Sequence, residues 1–259
     1  MPDWLAVILL GVIEGVTEFL PISSTGHLLI AERWLGHRTE LFNIVIQTGA
    51  VVAVLPLFRP RLQKMLSFSP EGRAYSAKVA MAFFITAIGG LLLKKAGLEL
   101  PDTILPVAAA LVVGGVLFLV VERVLYGRTL QDEVTWGIAA AVGAAQLIAA
   151  VFPGTSRSGS TILIMLALGL SRPAATEFTF LVGIPTIMAA GAYSILKVLK
   201  AGDVHEDWGM VALGFVVSAV VSFVVVKWLL GYVQKHTFAV FGWYRIVFGL
   251  VLFGFLALE

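Results

Sequence analysis

Cysteine is absent from the 259 residues, which excludes disulfides, thiol nucleophiles and cysteine-based zinc sites. Charge is scarce too. Only 13% of residues are Asp, Glu, Lys or Arg, against about a quarter in a typical soluble domain. No polar stretch is long enough to build a soluble head. The net charge of +2 is too small to suggest a nucleic-acid partner. The N-terminus lacks a basic n-region and an A-x-A site, so no removable signal is expected. Apolar length is what the chain has in abundance. It is 59% hydrophobic with a mean hydropathy of +0.97. Several runs approach the ~20 residues needed to cross a bilayer core. The expected class is an all-α polytopic membrane protein forming one domain.

Six segments read as full spans: roughly 42–58, 76–94, 104–124, 177–199, 208–230 and 240–257. Two more regions, roughly 4–35 and 134–170, are apolar but broken. Their breaks read FLPISSTGH (19–27) and FPGTSRSGST (152–161). Proline removes a donor and clashes with the preceding turn, and the hydroxyls that follow suit the cap of a new helix. Each flanking run is near half a bilayer, so both regions read as re-entrant helix–loop–helix hairpins. Irregular backbone at that depth needs protein or a water-filled cavity around it.

Basic residues orient the spans. Arg59, Arg61, Lys64, Arg73 and Lys78 place the 59–78 loop inside the cell. The loop with Asp203, Glu206 and Asp207 then falls outside, as do both termini. Lys94, Lys95, Lys197 and Lys200 are exceptions at outer span ends, where they can snorkel. Aligning Pro21 with Pro153 sets Glu14 opposite Gln146 and Ser24 opposite Ser156. Three full spans follow each hairpin, so the second copy is inverted. The expected halves are about 1–128 and 129–259, with the two broken segments meeting near the midplane.

Glu14 and Glu18 are four residues apart, which puts both carboxylates on one helix face. Two buried carboxylates need a partner: a divalent metal, Arg157 or a bound proton. Ser23, Ser24, Thr25 and Gly26 stand where a helix begins, and a helix N-terminus offers free N–H groups to phosphate. His27 lies in its first turn. In the second loop Arg157 offers a planar fork for phosphate oxygens. Gly154 and Gly159 permit close backbone approach, and Ser156, Ser158, Ser160 and Thr161 can donate to oxyanions or cap the helix. Together these residues suit phosphoryl transfer, with Ser24 as candidate nucleophile and Glu18 and His27 as acid–base groups. No GxxxxGK(S/T) occurs, so nucleotide binding is not expected. Small residues such as Gly114 and Gly115 could pack helices within one chain or between two, so a homodimer stays open.

EGVTEFLPISSTGH and PGTSRSGST resemble the two signatures of the bacterial undecaprenyl pyrophosphate phosphatase family, the integral membrane type tied to bacitracin resistance. FNIVIQTGAVVAV, SRPAATEFTFLVGIP and the YR of FGWYRIVFG resemble further family segments, and the resemblance spans essentially the whole chain. It implies removal of the terminal phosphate of a C55 polyprenyl diphosphate in the bacterial inner membrane, recycling the carrier lipid for cell-wall synthesis. It implies essential roles for Glu14, Glu18, Ser24, His27 and Arg157. It also implies a divalent cation, Mg²⁺ or Ca²⁺, here at Glu14 and Glu18, and an active site opening to the outer side. Three mechanisms stay open: attack by Ser24, by His27, or by metal-bound water. The alternative function is a transporter or flippase of polyprenyl phosphate on the same scaffold.

Overall fold

The computed structural model describes residues 1–67, 69–98, 103–201 and 206–258; Asp203, assigned above to an outer loop, lies outside them. Among the described residues the chain forms eleven α-helices: α1 (Asp3–Thr17), α2 (Ser24–Leu35), α3 (Glu40–Val54), α4 (Arg59–Leu66), α5 (Pro70–Lys95), α6 (Ile104–Leu125), α7 (Trp136–Val151), α8 (Arg157–Ala167), α9 (Arg172–Ala201), α10 (Trp208–Tyr232) and α11 (Ala239–Leu258). Six stretches are long and apolar enough to cross a membrane, and they coincide with the six expected spans. The chain is a multi-pass, all-α membrane protein. Its surface is apolar where lipid would touch it: only 11% of the most hydrophobic stretch of α5 is buried.

Both expected breaks are present. α1 stops at Thr17 and α2 starts at Ser24, while α7 stops at Val151 and α8 starts at Arg157. These four helices have 15, 12, 16 and 11 residues, each short of a full span. The same cap starts α2 and α8. Ser23 Oγ accepts from the Gly26 N–H at 3.3 Å, and Ser156 Oγ accepts from the Gly159 N–H at 3.1 Å. This geometry shifts the expected alignment. The second loop has one more residue between its proline and its cap, so Ser156 corresponds to Ser23, and Ser24 corresponds to Arg157.

Residues 59–78, expected as a loop, are mostly helical. A 3₁₀ turn (Leu55–Phe58) joins α3 to α4, and α5 begins at Pro70 rather than near 76. Pro60 and Pro70 sit in first turns, where a missing N–H is no loss, and Ser69 caps α5 by accepting from the Gly72 N–H. Lys94 meets Tyr193, its Nζ donating to the phenol oxygen at 3.3 Å.

α6 packs along α11, α1 and α3 along α10, and α5 along α7; α8 is wedged among α6, α7 and α9. Glycine makes the closest approaches. A Cβ on Gly15 would lie 2.8 Å from the Ser218 carbonyl oxygen on α10, so α1 and α10 touch backbone to backbone there. Gly114 and Gly115 are spent within the chain, against Arg245 and the Gly242 carbonyl of α11. Buried Glu122 ties α6 to α9 and to the residue ahead of α11, accepting from Arg172 Nε at 2.9 Å and from the Phe238 N–H at 2.7 Å.

Candidate active site

α1 delivers the carboxylates. The Glu18 N–H donates to the Glu14 carbonyl at 2.9 Å, so the helical register persists and both side chains stay on one face. Both are buried. Ser24, the first residue of α2, donates its hydroxyl proton to Glu18 Oε2 at 2.7 Å. Arg157, the first residue of α8, donates from Nη2 to Glu18 Oε1 at 3.1 Å. One carboxylate therefore joins the alcohol of the first loop to the guanidinium of the second. Ser158 adds a second tie, its hydroxyl donating to the Leu20 carbonyl at 3.1 Å. Arg157 packs closely against Gly183 of α9, where a Cβ would fall 2.2 Å from Nη1.

Glu18, Ser24 and Arg157 line a cavity of about 240 Å³ that also meets Ser23, Thr25 and Ser156. Arg157 Nη1 is buried with no hydrogen-bond partner, a donor that an anion would satisfy. The N-termini of α2 and α8 open onto the same space, adding free N–H groups and positive dipole ends. Glu14 Oε2 is also buried without a partner. Among the described residues no group of three or more His, Asp or Glu side chains gathers as a complete metal cage. Two carboxylates do fit a hard divalent cation such as Mg²⁺, which typically takes one or two and completes its shell with phosphate and water.

The profile of the family described as bacitracin resistance protein BacA matches residues 7–251. This chain belongs to that family. It is 52% identical to an undecaprenyl-diphosphatase of Rhizobium etli, over 98% of each chain. It is 54% identical to an undecaprenyl-diphosphatase of Xanthomonas oryzae pv. oryzae, over 97% of each.

In this BacA-family chain the structure gathers Glu18, Ser24 and Arg157 directly, with Glu14 behind them. Ser23, Thr25 and Ser156 line the cavity, but Gly26, Ser158, Gly159, Ser160 and Thr161 do not. Gly26 and Gly159 give their N–H groups to the caps. The hydroxyls of Ser158, Ser160 and Thr161 donate to backbone carbonyls, which makes them struts. His27 bonds neither Ser24 nor Glu18. Its Nδ1 lies 2.7 Å from the Ser23 carbonyl, which can only accept, so Nδ1 carries the proton. Nε2 then accepts from the Tyr244 hydroxyl at 2.6 Å. Sequence reasoning gave no role to Gln47, Thr86 and Thr186, which line the cavity, or to Gly183, Tyr244 and Arg245. A polar residue inside an apolar run is the signal that could have found Gln47, Thr86 and Arg245.

Proposed function

We infer that this chain hydrolyses undecaprenyl diphosphate to the monophosphate and inorganic phosphate, recycling a carrier lipid for cell-wall synthesis. The observation that carries the reading is the Glu18 carboxylate, with the Ser24 hydroxyl on one oxygen and Arg157 on the other. Nucleophile, base and phosphate-binding cation thus share one group. A carrier of polyprenyl phosphate needs the cation but has no use for an alcohol poised on a carboxylate.

The terminal phosphoryl group sits beside the Arg157 guanidinium and the N-termini of α2 and α8, near Ser23, Thr25 and Ser156. Ser24 Oγ attacks phosphorus while its proton passes to Glu18 Oε2. The bridging P–O bond breaks, and Glu18 gives that proton to the departing lipid phosphate. Glu18 then takes a proton from an attacking water. The P–Oγ bond breaks, inorganic phosphate leaves, and the proton returns to Ser24. Both nitrogens of His27 are engaged, which favours Ser24 as nucleophile. Glu14 and Glu18 are the residues that would hold Mg²⁺ or Ca²⁺, which when bound would offset diphosphate charge. Phosphoryl transfer asks mainly for such positioning and charge stabilisation.

The protein lies in the bacterial inner membrane, with the basic end at α4 and the start of α5 inside and both termini and the cavity mouth outside. Halves 1–128 and 129–259 are inverted copies, and α1–α2 and α7–α8 are re-entrant hairpins. The repeated serine cap supports this, as does the packing of α1 on α10, echoed by that of α7 on α5. The test is phosphate release from undecaprenyl diphosphate by detergent-purified protein, with Mg²⁺ or chelator, for wild type and Arg157→Ala. Wild type should release phosphate in Mg²⁺ and the variant should not. No release by wild type, or full activity in the variant, would overturn the reading.

A further inference from the structure

α11 carries a buried cation that the mechanism above does not use. Arg245 is 1% exposed, and its hydrogen-bond partners are all backbone carbonyls. Nη1 donates to Pro21 O at 3.1 Å, in the first loop. Nη2 donates to Gly154 O at 3.3 Å, in the second loop, and to Ala110 O of α6 at 3.0 Å. Nε points at Leu111 O, 3.5 Å away. Pro21 and Gly154 each stand three residues before the residues that open α2 and α8, Ser24 and Arg157. One guanidinium thus holds both loops, just ahead of both helix N-termini, against a third element. The space is cut to its shape: a Cβ at Gly114 would lie 2.3 Å from Nη2, and one at Gly159 would lie 2.9 Å from Nη1.

The remaining polar ties between the loops are the Arg157–Glu18 pair and the Ser158 hydroxyl. On the functional reading above, substrate phosphate competes for Arg157 and the reaction protonates Glu18. The ion-pair tie therefore weakens as the phosphoryl group transfers. Carbonyl acceptors on Arg245 do not change with either event. We propose that Arg245 is a positioning residue for phosphoryl transfer, clamping the two loops in the register where Ser24, Glu18 and Arg157 meet. Only a planar fork can reach these carbonyls together; an ammonium keeps the charge but not the geometry.

The experiment compares Arg245→Lys, Gly114→Ala and the control Gly90→Ala with wild type, in detergent, on undecaprenyl diphosphate. The Gly90 Cβ position is open, so that variant should match wild type. Gly114→Ala pushes the guanidinium off its carbonyls while keeping its charge. Both clamp variants should lose kcat on the order of 100-fold per folded molecule, the scale of a ~1 Å misplacement, with KM within about threefold. Folded protein is counted by gel filtration and thermal melting. A merely structural residue would lower Tm and yield while leaving kcat per folded molecule intact, and that result overturns the proposal. A loss confined to KM overturns it too, because it would make Arg245 a binding charge. Should Arg245→Lys fail to fold, Gly114→Ala decides alone. Inactive wild type would instead defeat the functional reading, so the two failures are distinguishable.

Discussion

Alanine at position 183 tests the site without replacing any of the side chains that line it. The added methyl would lie 2.2 Å from Arg157 Nη1, 3.0 Å from Cζ and 3.1 Å from Nη2. Carbon and nitrogen in van der Waals contact sit near 3.5 Å, so the guanidinium must move by about 1 Å. Arg157 also borders the cavity, which offers space to receive it. Its bond to Glu18 Oε1 is 3.1 Å long, and a shift of that size breaks it. A ~1 Å misplacement costs roughly 100-fold in rate, or about 2.7 kcal/mol of transition-state stabilisation. Gly183→Ala should therefore lower kcat/KM for phosphate release about 100-fold. Its melting temperature should stay within a few degrees of wild type, since the displaced group is the end of a flexible side chain. Activity within threefold of wild type would mean that the position of Arg157 does not limit the reaction, and the site as described would be wrong.

Ser24→Ala should abolish phosphate release, and rapid quench of wild type with labelled diphosphate should leave label on Ser24; label on His27, or on no residue, would rule out the serine step. Tyr244→Phe keeps the stack of His27 on Phe248 at 4.3 Å but removes the donor to Nε2. The lost hydrogen bond should cost about 1 kcal/mol of stability, read as a slightly lower Tm, with kcat nearly unchanged, whereas a rise in kcat would return His27 to candidacy as nucleophile. Glu122→Ala strips Arg172 and the Phe238 N–H of their shared acceptor, and none of the three lines the cavity. It should cost on the order of 3 kcal/mol of stability, read as a lower Tm, with kcat per folded molecule unchanged.

The spans and both breaks were legible because composition alone decides them: apolar length sets a span, and proline followed by hydroxyls stops and restarts a helix. Helix ends were less legible, because caps set them rather than hydropathy. α5 starts at Pro70 under the Ser69 cap, and α9 starts at Arg172, inside sequence too polar to be read as a span. The placing of Ser24 and Arg157 at the two breaks was legible, and each opens a helix there. The division of labour among the other hydroxyls was not. A serine that caps, one that ties two loops and one that meets a ligand look alike until carbonyl positions are known. Gly183, Tyr244 and Arg245 come from distant helices, and no local pattern says which residue lies across from a loop.

Ser23 and Ser156 are the two non-glycine residues with positive φ among the described residues, at +74° and +68°. Such a conformation costs on the order of 1–3 kcal/mol at a residue with a Cβ. Glycine would adopt it freely, so serine at both positions needs a reason. The hydroxyl supplies one, since each accepts an N–H from the first turn of its helix, and a cap of this kind contributes about 1 kcal/mol. Cap and strain thus come close to offsetting each other, and what remains is directional. The backbone reverses sharply at each serine, so the following residue starts a helix whose open N–H groups face the cavity. That residue is Ser24 in one loop and Arg157 in the other. A gentler turn would aim the same two side chains, and the same two dipoles, elsewhere. The strain is thus concentrated at the two residues that fix where alcohol and guanidinium meet.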